Sequence, residues 1–260
     1  MKIQILLFAG LTLATVPVCG QSLASRVSRT NDGVVRFSYA SRPDVCGNGV
    51  NNINMGDNHR ITRNSDGDDD SNCPCDYGPV RVTLTMRSGA VTRLRTTVGT
   101  RTRTAPADLV DLGTVSTREA AAYLLEVAQK ASGNAGGEAI FALTLADSVT
   151  PWPDLIRLAR NNGVRNDTRK SAVFWLGQAA GDAVTKDLAE LAEDEQGDQE
   201  VRESAVFALS QLGNDRGVPA LIRIAKTNKD PEIRRKALFW LGQSDDPRAL
   251  DLFEDLLSSN

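Results

Sequence analysis

Ser171-Ala172-Val173-Phe174-Trp175-Leu176-Gly177-Gln178 decides how this chain is read, because nearly the same phrase is written twice more. The copies are Ser204-Ala205-Val206-Phe207-Ala208-Leu209-Ser210-Gln211 and Lys236-Ala237-Leu238-Phe239-Trp240-Leu241-Gly242-Gln243. The marker residues Phe174, Phe207 and Phe239 stand 33 and 32 residues apart, and a weaker copy, Ala139-Ile140-Phe141-Ala142-Leu143, lies 33 residues upstream of Phe174. Self-similarity at this period marks a solenoid, in which each unit buries its apolar face only against the next.

Around these phrases the chain reads as paired helices. Ser116-Thr117-Arg118-Glu119 is a capping box opening a helix that buries Ala121, Leu124, Leu125 and Ala128. Residues 132–137 break it, and residues 138–147 form the next helix. Asp167, Asp198 and Asp230 are expected to cap the helices carrying Phe174, Phe207 and Phe239. The intervening helices are expected over residues 183–193, 217–226 and 247–257.

The N-terminal part has another vocabulary. Residues 21–104 hold 12 Arg, no Lys and 8 Asp, a charge of +4, whereas residues 105–260 sum to -8. The contrast predicts two domains, with a small strand-and-loop domain over residues 21–104 and the helical array over residues 105–260. Val35, Phe37 and Tyr39 alternate with polar residues, as do Val80, Val82, Leu84 and Met86, the period of half-buried strands. Ser88-Gly89 predicts a tight turn into a returning strand, and a phase shift between Val91 and Leu94 predicts a bulge. Residues 47–76 read as a polar loop.

Residues 1–20 have the form of a removed targeting segment: Lys2, an apolar run from Ile5 to Val16, and a cleavage site before Gln21, with Ser22-Leu23-Ala24 as a second candidate. Export to a periplasmic or extracellular compartment is therefore expected, without a transmembrane segment. A lipid anchor on Cys19 fits poorly, because Val18 occupies a small-residue position. An oxidising compartment makes Cys46 the partner of Cys75 or Cys73 in a disulfide. Cys73-Pro74-Cys75 is spaced too tightly for a zinc knuckle.

Catalytic signals are sparse. His59 is the only histidine, so any His-dependent nucleophile would have to use it; it reads as a surface side chain. Asp66-Gly67-Asp68-Asp69-Asp70 lacks the glycine and terminal glutamate of a helix-loop-helix calcium site. No cofactor or metal is expected, and no residue takes a catalytic role. The acidic array disfavours a nucleic-acid groove.

Asp198-Gln199-Glu200-Val201-Arg202-Glu203-Ser204-Ala205 and Asp230-Pro231-Glu232-Ile233-Arg234-Arg235-Lys236-Ala237 resemble the second helix of HEAT repeats, and the short period is similar to that of phycobilisome lyases. The resemblance covers about residues 138–260. It implies a right-handed α-solenoid of HEAT-like hairpins; with the small disulfide-braced β domain read from residues 21–104, the chain is expected to be α+β, mainly α. Thr168 departs from the pattern where Val201 and Ile233 stand, which predicts looser packing. The resemblance also puts the second helices on the concave face. At about 100° per residue, Phe207 then falls about 200° from Ala205, opposite the face packed on the paired helix. The expected partner surface is Phe141, Phe174, Phe207 and Phe239 with Lys170, Glu203 and Arg235, while Trp175 and Trp240 fall on the packed side. Such an apolar column needs a cover. The N-terminal domain or tight superhelical curvature can cover it, or a peptide, protein or apolar ligand can lie along it. The function expected is an exported, non-catalytic scaffold. The alternatives are a lyase-like accessory subunit holding an apolar or tetrapyrrole ligand, and an envelope component whose Arg81, Arg87, Arg93 and Arg95 meet an anionic surface.

Overall fold

The structure is a computed structural model that describes residues 21–56, 60–62, 75–102, 104–179 and 182–258. The expected targeting segment, His59, Cys73 and the Asp66–Asp70 run lie outside the described residues. A short helix, α1 (Leu23–Val27), opens the described chain and buries Leu23 and Val27. The second candidate cleavage site, after Ala24, therefore falls inside a packed helix.

Four strands form the main sheet: β1 (Gly33–Tyr39), β5 (Val80–Arg87), β6 (Ala90–Val98) and β7 (Leu109–Thr114), in the order β6-β5-β1-β7. Alternation on β1 and β5 places Val35, Phe37, Tyr39, Val80, Val82, Leu84 and Met86 on one buried face. The β5–β6 hairpin turns at Ser88 and Gly89, both with positive φ, 49° and 75°, which suits the right-handed twist of the strands it joins. Thr85 pairs with Arg93 and Met86 with Val91, so Thr92 is the bulged residue, inside the window where the apolar phase shifts. The boundary expected at residues 104/105 cuts this sheet. β7 lies beyond it and runs parallel to β1, with Arg36 and Asp111 bonded across the pair. Charge and composition could not show this, because β7 is short and mostly exposed.

A smaller sheet comprises β2 (Cys46–Gly47), β3 (Asn52–Asn54) and β4 (Arg60–Thr62). Residues 47–56 were expected within a polar loop over residues 47–76. Instead, buried Asn48 accepts through its side-chain oxygen from the backbone N–H groups of Val50, Asn51 and Asn52 and closes a tight turn. The loop lies against the end of β6, where a Cβ at Gly49 (φ 76°) would stand 2.2 Å from the Arg101 carbonyl oxygen. Cys46 and Cys75 form the disulfide, closing a separation of 29 residues.

The helices are α2 (Thr117–Lys130), α3 (Ala135–Thr144), α4 (Trp152–Arg160), α5 (Asn166–Ala179), α6 (Asp182–Glu193), α7 (Gln199–Ser210), α8 (Val218–Thr227), α9 (Pro231–Leu241) and α10 (Pro247–Ser258). They pair as α2/α3, α4/α5, α6/α7 and α8/α9. The row α3, α5, α7, α9 stacks more closely than the row α4, α6, α8, α10, and we term the first the inner row and the second the outer row. Ser116, Asp198 and Asp230 each accept from a first-turn N–H and cap α2, α7 and α9. Asp167 does not cap: α5 begins at Asn166 and takes Asp167 into its first turn. The helix expected over residues 138–147 starts and ends three residues earlier, at Ala135–Thr144. Thr168 is buried against Gly136, where a Cβ would meet its hydroxyl at 2.4 Å, so a missing side chain on α3 accommodates it.

The sheet seats on the first hairpin, and its core is continuous with that of the helices. Phe37 meets Tyr123 edge-on at 5.9 Å, and the buried Tyr39 hydroxyl donates to the Ala142 carbonyl at 2.6 Å. Residues 40–42 and 145–147 exchange backbone hydrogen bonds. Among the described residues, the strand unit makes its main helix contacts with α2 and α3, at the N-terminal end of the stack.

Candidate functional site on the inner row

Two kinds of repeated contact set the geometry of the inner row. The first is a polar framework. Arg169 and Arg202, 33 residues apart, are buried, and each donates through Nε to the last turn of the preceding outer helix, at the Ala159 and Ala192 carbonyls (2.9 and 3.3 Å). Arg202 also pairs with Asp230 of the next repeat at 2.8 Å, while Asn166 donates to Asp198 at 2.9 Å. Burial pushes the Asp230 carboxyl up, but the Glu232 N–H and Arg202 outweigh it and hold it below the usual range. The Asn166 amide, with helix N–H groups, lowers that of Asp198. On the outer row Arg160 reaches Glu190 at 2.7 Å and Arg223 reaches Glu193 at 2.9 Å.

Lys170 and Glu203, expected to face a partner, belong to this framework. Lys170 binds Glu200 on α7 at 2.6 Å, a hydrogen bond that raises its pKa, and also lies 3.6 Å from Asp167. Glu203 meets Lys236 on α9 at 3.2 Å. Arg235 remains largely exposed and pairs within its own helix with Glu232.

The second contact is aromatic. Phe141 stacks on Trp175 at 5.2 Å, and Trp175 meets Phe174 edge-on at 5.1 Å. Phe207 meets Trp240 at 5.0 Å, and Trp240 meets Phe239 edge-on at 5.0 Å. The tryptophans, expected on the packed side, are packed there, Trp175 buried and Trp240 against the core, and each also bridges the phenylalanines of successive inner helices. The helical wheel places a residue on its own helix but says nothing of how far a large ring reaches toward the preceding turn.

The four phenylalanines are not equivalent. Phe141 is only 3% exposed, because α3 lies between β6 and α5, so it is withdrawn from the expected partner surface. Phe174 is 41% exposed, Phe207 half-buried and Phe239 56% exposed. Between α5 and α7 lies a depression of 440 Å³ lined by Asp167, Lys170, Ser171, Phe174, Ser204 and Phe207. The site is thus an apolar row opening to solvent at Phe174 and Phe239, set in a frame of paired charges. Among the described residues, what it offers is shape and apolar area.

The model of the HEAT repeats family matches residues 153–234 and, overlapping them, residues 195–260. No curated protein matches the chain. The mainly helical C-terminal region is thus similar to HEAT repeats, with the strand unit outside the matched residues. Sequence reasoning missed the buried Arg169 and Arg202, although their recurrence at the repeat period was visible, and it missed the significance of Ala208 standing where its sister phrases have tryptophan.

Proposed function

We propose that this protein is an exported, non-catalytic scaffold that recruits a protein or peptide segment along the inner row of its helical stack. The observation that carries the reading is the line of Phe174, Phe207 and Phe239, two of them exposed, on closely stacked helices. Exposed rings in one row favour binding, since each contributes apolar area that water solvates poorly. The likeness to HEAT repeats supports a role in protein–protein contact. Export draws support from the Cys46–Cys75 disulfide, and no helix among the described residues is long and apolar enough to cross a membrane. The acidic balance of residues 105–260 favours protein over nucleic acid as the partner.

Affinity capture from the source organism with the wild-type chain and with Phe174→Asp and Phe239→Asp tests the reading. A partner retained by the wild type should be lost from both variants, while their melting temperatures stay within a few degrees because the rings are exposed. Retention by both variants sinks it.

A further inference from the structure

Two aromatic triplets run along the inner row. Phe141, Trp175 and Phe174 form one, and Phe207, Trp240 and Phe239 form the other, with successive centroids 5.0–5.2 Å apart. A tryptophan from the following helix bridges the two phenylalanines of each triplet. At the step from α5 to α7 the bridging position holds Ala208, and the run of rings stops. The helices partly close the space there: a Cβ at Gly177 would stand 3.0 Å from that of Ala208. Toward the helix N-termini, where a tryptophan at residue 208 would lean, the 440 Å³ depression between Phe174 and Phe207 stays open. Its small residues present no competing donor, since Ser171 and Ser204 turn their hydroxyls back onto the Asp167 and Glu200 carbonyls at 2.9 and 2.7 Å.

We infer that this gap receives an aromatic side chain of the recruited segment, completing the ring stack as Trp175 and Trp240 complete it at the neighbouring steps; this rests on the reading of the inner row as a recruiting surface. At the rim Lys170 pairs with Asp167 and Glu200, and Arg165 lies 3.8 Å from Asp167, so the two carboxylates meet two cations and the rim asks for no charge in the occupant. The occupant is therefore a neutral aromatic side chain, tryptophan by analogy with the filled steps. The gain over an aliphatic side chain is that of aromatic pairing on two rings, up to about tenfold in affinity.

The test titrates the full chain with N-acetyl-L-tryptophanamide and N-acetyl-L-leucinamide, followed by amide NMR shifts. Tryptophanamide should move the amides of Ser171, Phe174, Ser204 and Phe207, and leucinamide should bind several-fold more weakly. Ser204→Trp, which fills the gap from its rim, and Phe174→Ser, which removes one wall, should each abolish the response while far-UV circular dichroism is unchanged. Equal response to the two amides, shifts centred away from α5 and α7, or full response in Ser204→Trp overturns the inference. If Phe174→Asp and Phe239→Asp release a captured partner while tryptophanamide leaves the gap silent, recruitment stands and aromatic insertion falls. If tryptophanamide fills the gap but both variants keep the partner, the gap's chemistry stands and the recruiting role falls. A concentration-dependent dimer abolished by Trp152→Ala would make the occupant a second copy of the chain and overturn assignment to a separate partner.

Discussion

Arg202 shows what one side chain does in a repeat that has no core of its own. Its guanidinium is buried, holds the end of α6 through the Ala192 carbonyl, and reaches forward to Asp230. Arg202→Met would leave the buried Ala192 carbonyl without its guanidinium donor and Asp230 with only its backbone donors, at a cost of about 2–4 kcal/mol, read from urea unfolding. A loss below about 0.5 kcal/mol would show that water replaces the guanidinium. The carboxylates facing these frameworks set the acid limit of stability. Asp198 and Asp230 have folded pKa values below the usual range, so their contribution is complete above the unfolded value of about 3.9 and disappears as pH falls through the folded values. The urea midpoint should therefore hold from pH 7 to about pH 5 and fall below about pH 4. Asp198→Asn should make that fall shallower; an unchanged profile contradicts the assignment.

At the scale of single elements, helix starts differ in a way that can be measured. α7 begins with Asp198 accepting from the Glu200 N–H, whereas α5 has Arg165 at the corresponding place. Asp198→Ala should cost about 1 kcal/mol, while Asp167→Ala, which removes no cap, should cost a few tenths. The Cys46–Cys75 bridge closes 29 residues around the small sheet; Cys46→Ser should destabilise it by about 3.6 kcal/mol on the chain-entropy account, shown by earlier proteolysis near residues 46–56. Elements with a strong period were legible beforehand: the β5–β6 hairpin, its bulge and the phrase-bearing helices follow from alternation, turn chemistry and the 33-residue repeat. Those set by tertiary contact were not. β7 is held by pairing with β1, and the turn at Asn48 is ordered by one side chain meeting three N–H groups. Of the expected partner surface, the exposure of Phe174 and Phe239 agreed with the helical wheel. The burial of Phe141 and the pairing of Lys170 and Glu203 depend on neighbouring repeats, which a wheel drawn for one helix does not contain.

In the whole molecule, the strand unit and the first helical hairpin share one core, while later repeats depend on nearest neighbours. Tyr39→Phe removes the hydroxyl bonded to Ala142 and should cost about 1 kcal/mol, with hydrogen-exchange protection falling in β1 and α3 together. Loss confined to β1 would mean that the two units open independently. Among the described residues the strand unit packs at the end of the stack and Phe174 and Phe239 stay exposed, and the proposed partner would lie along them. Site-specific photocrosslinking tests that claim most directly, with a benzophenone side chain placed at residue 174, 207 or 239, or at Lys186 on the outer row. The account predicts one adduct shared by the three inner positions and absent from residue 186; adducts of equal yield at all four, or at residue 186 alone, would contradict it.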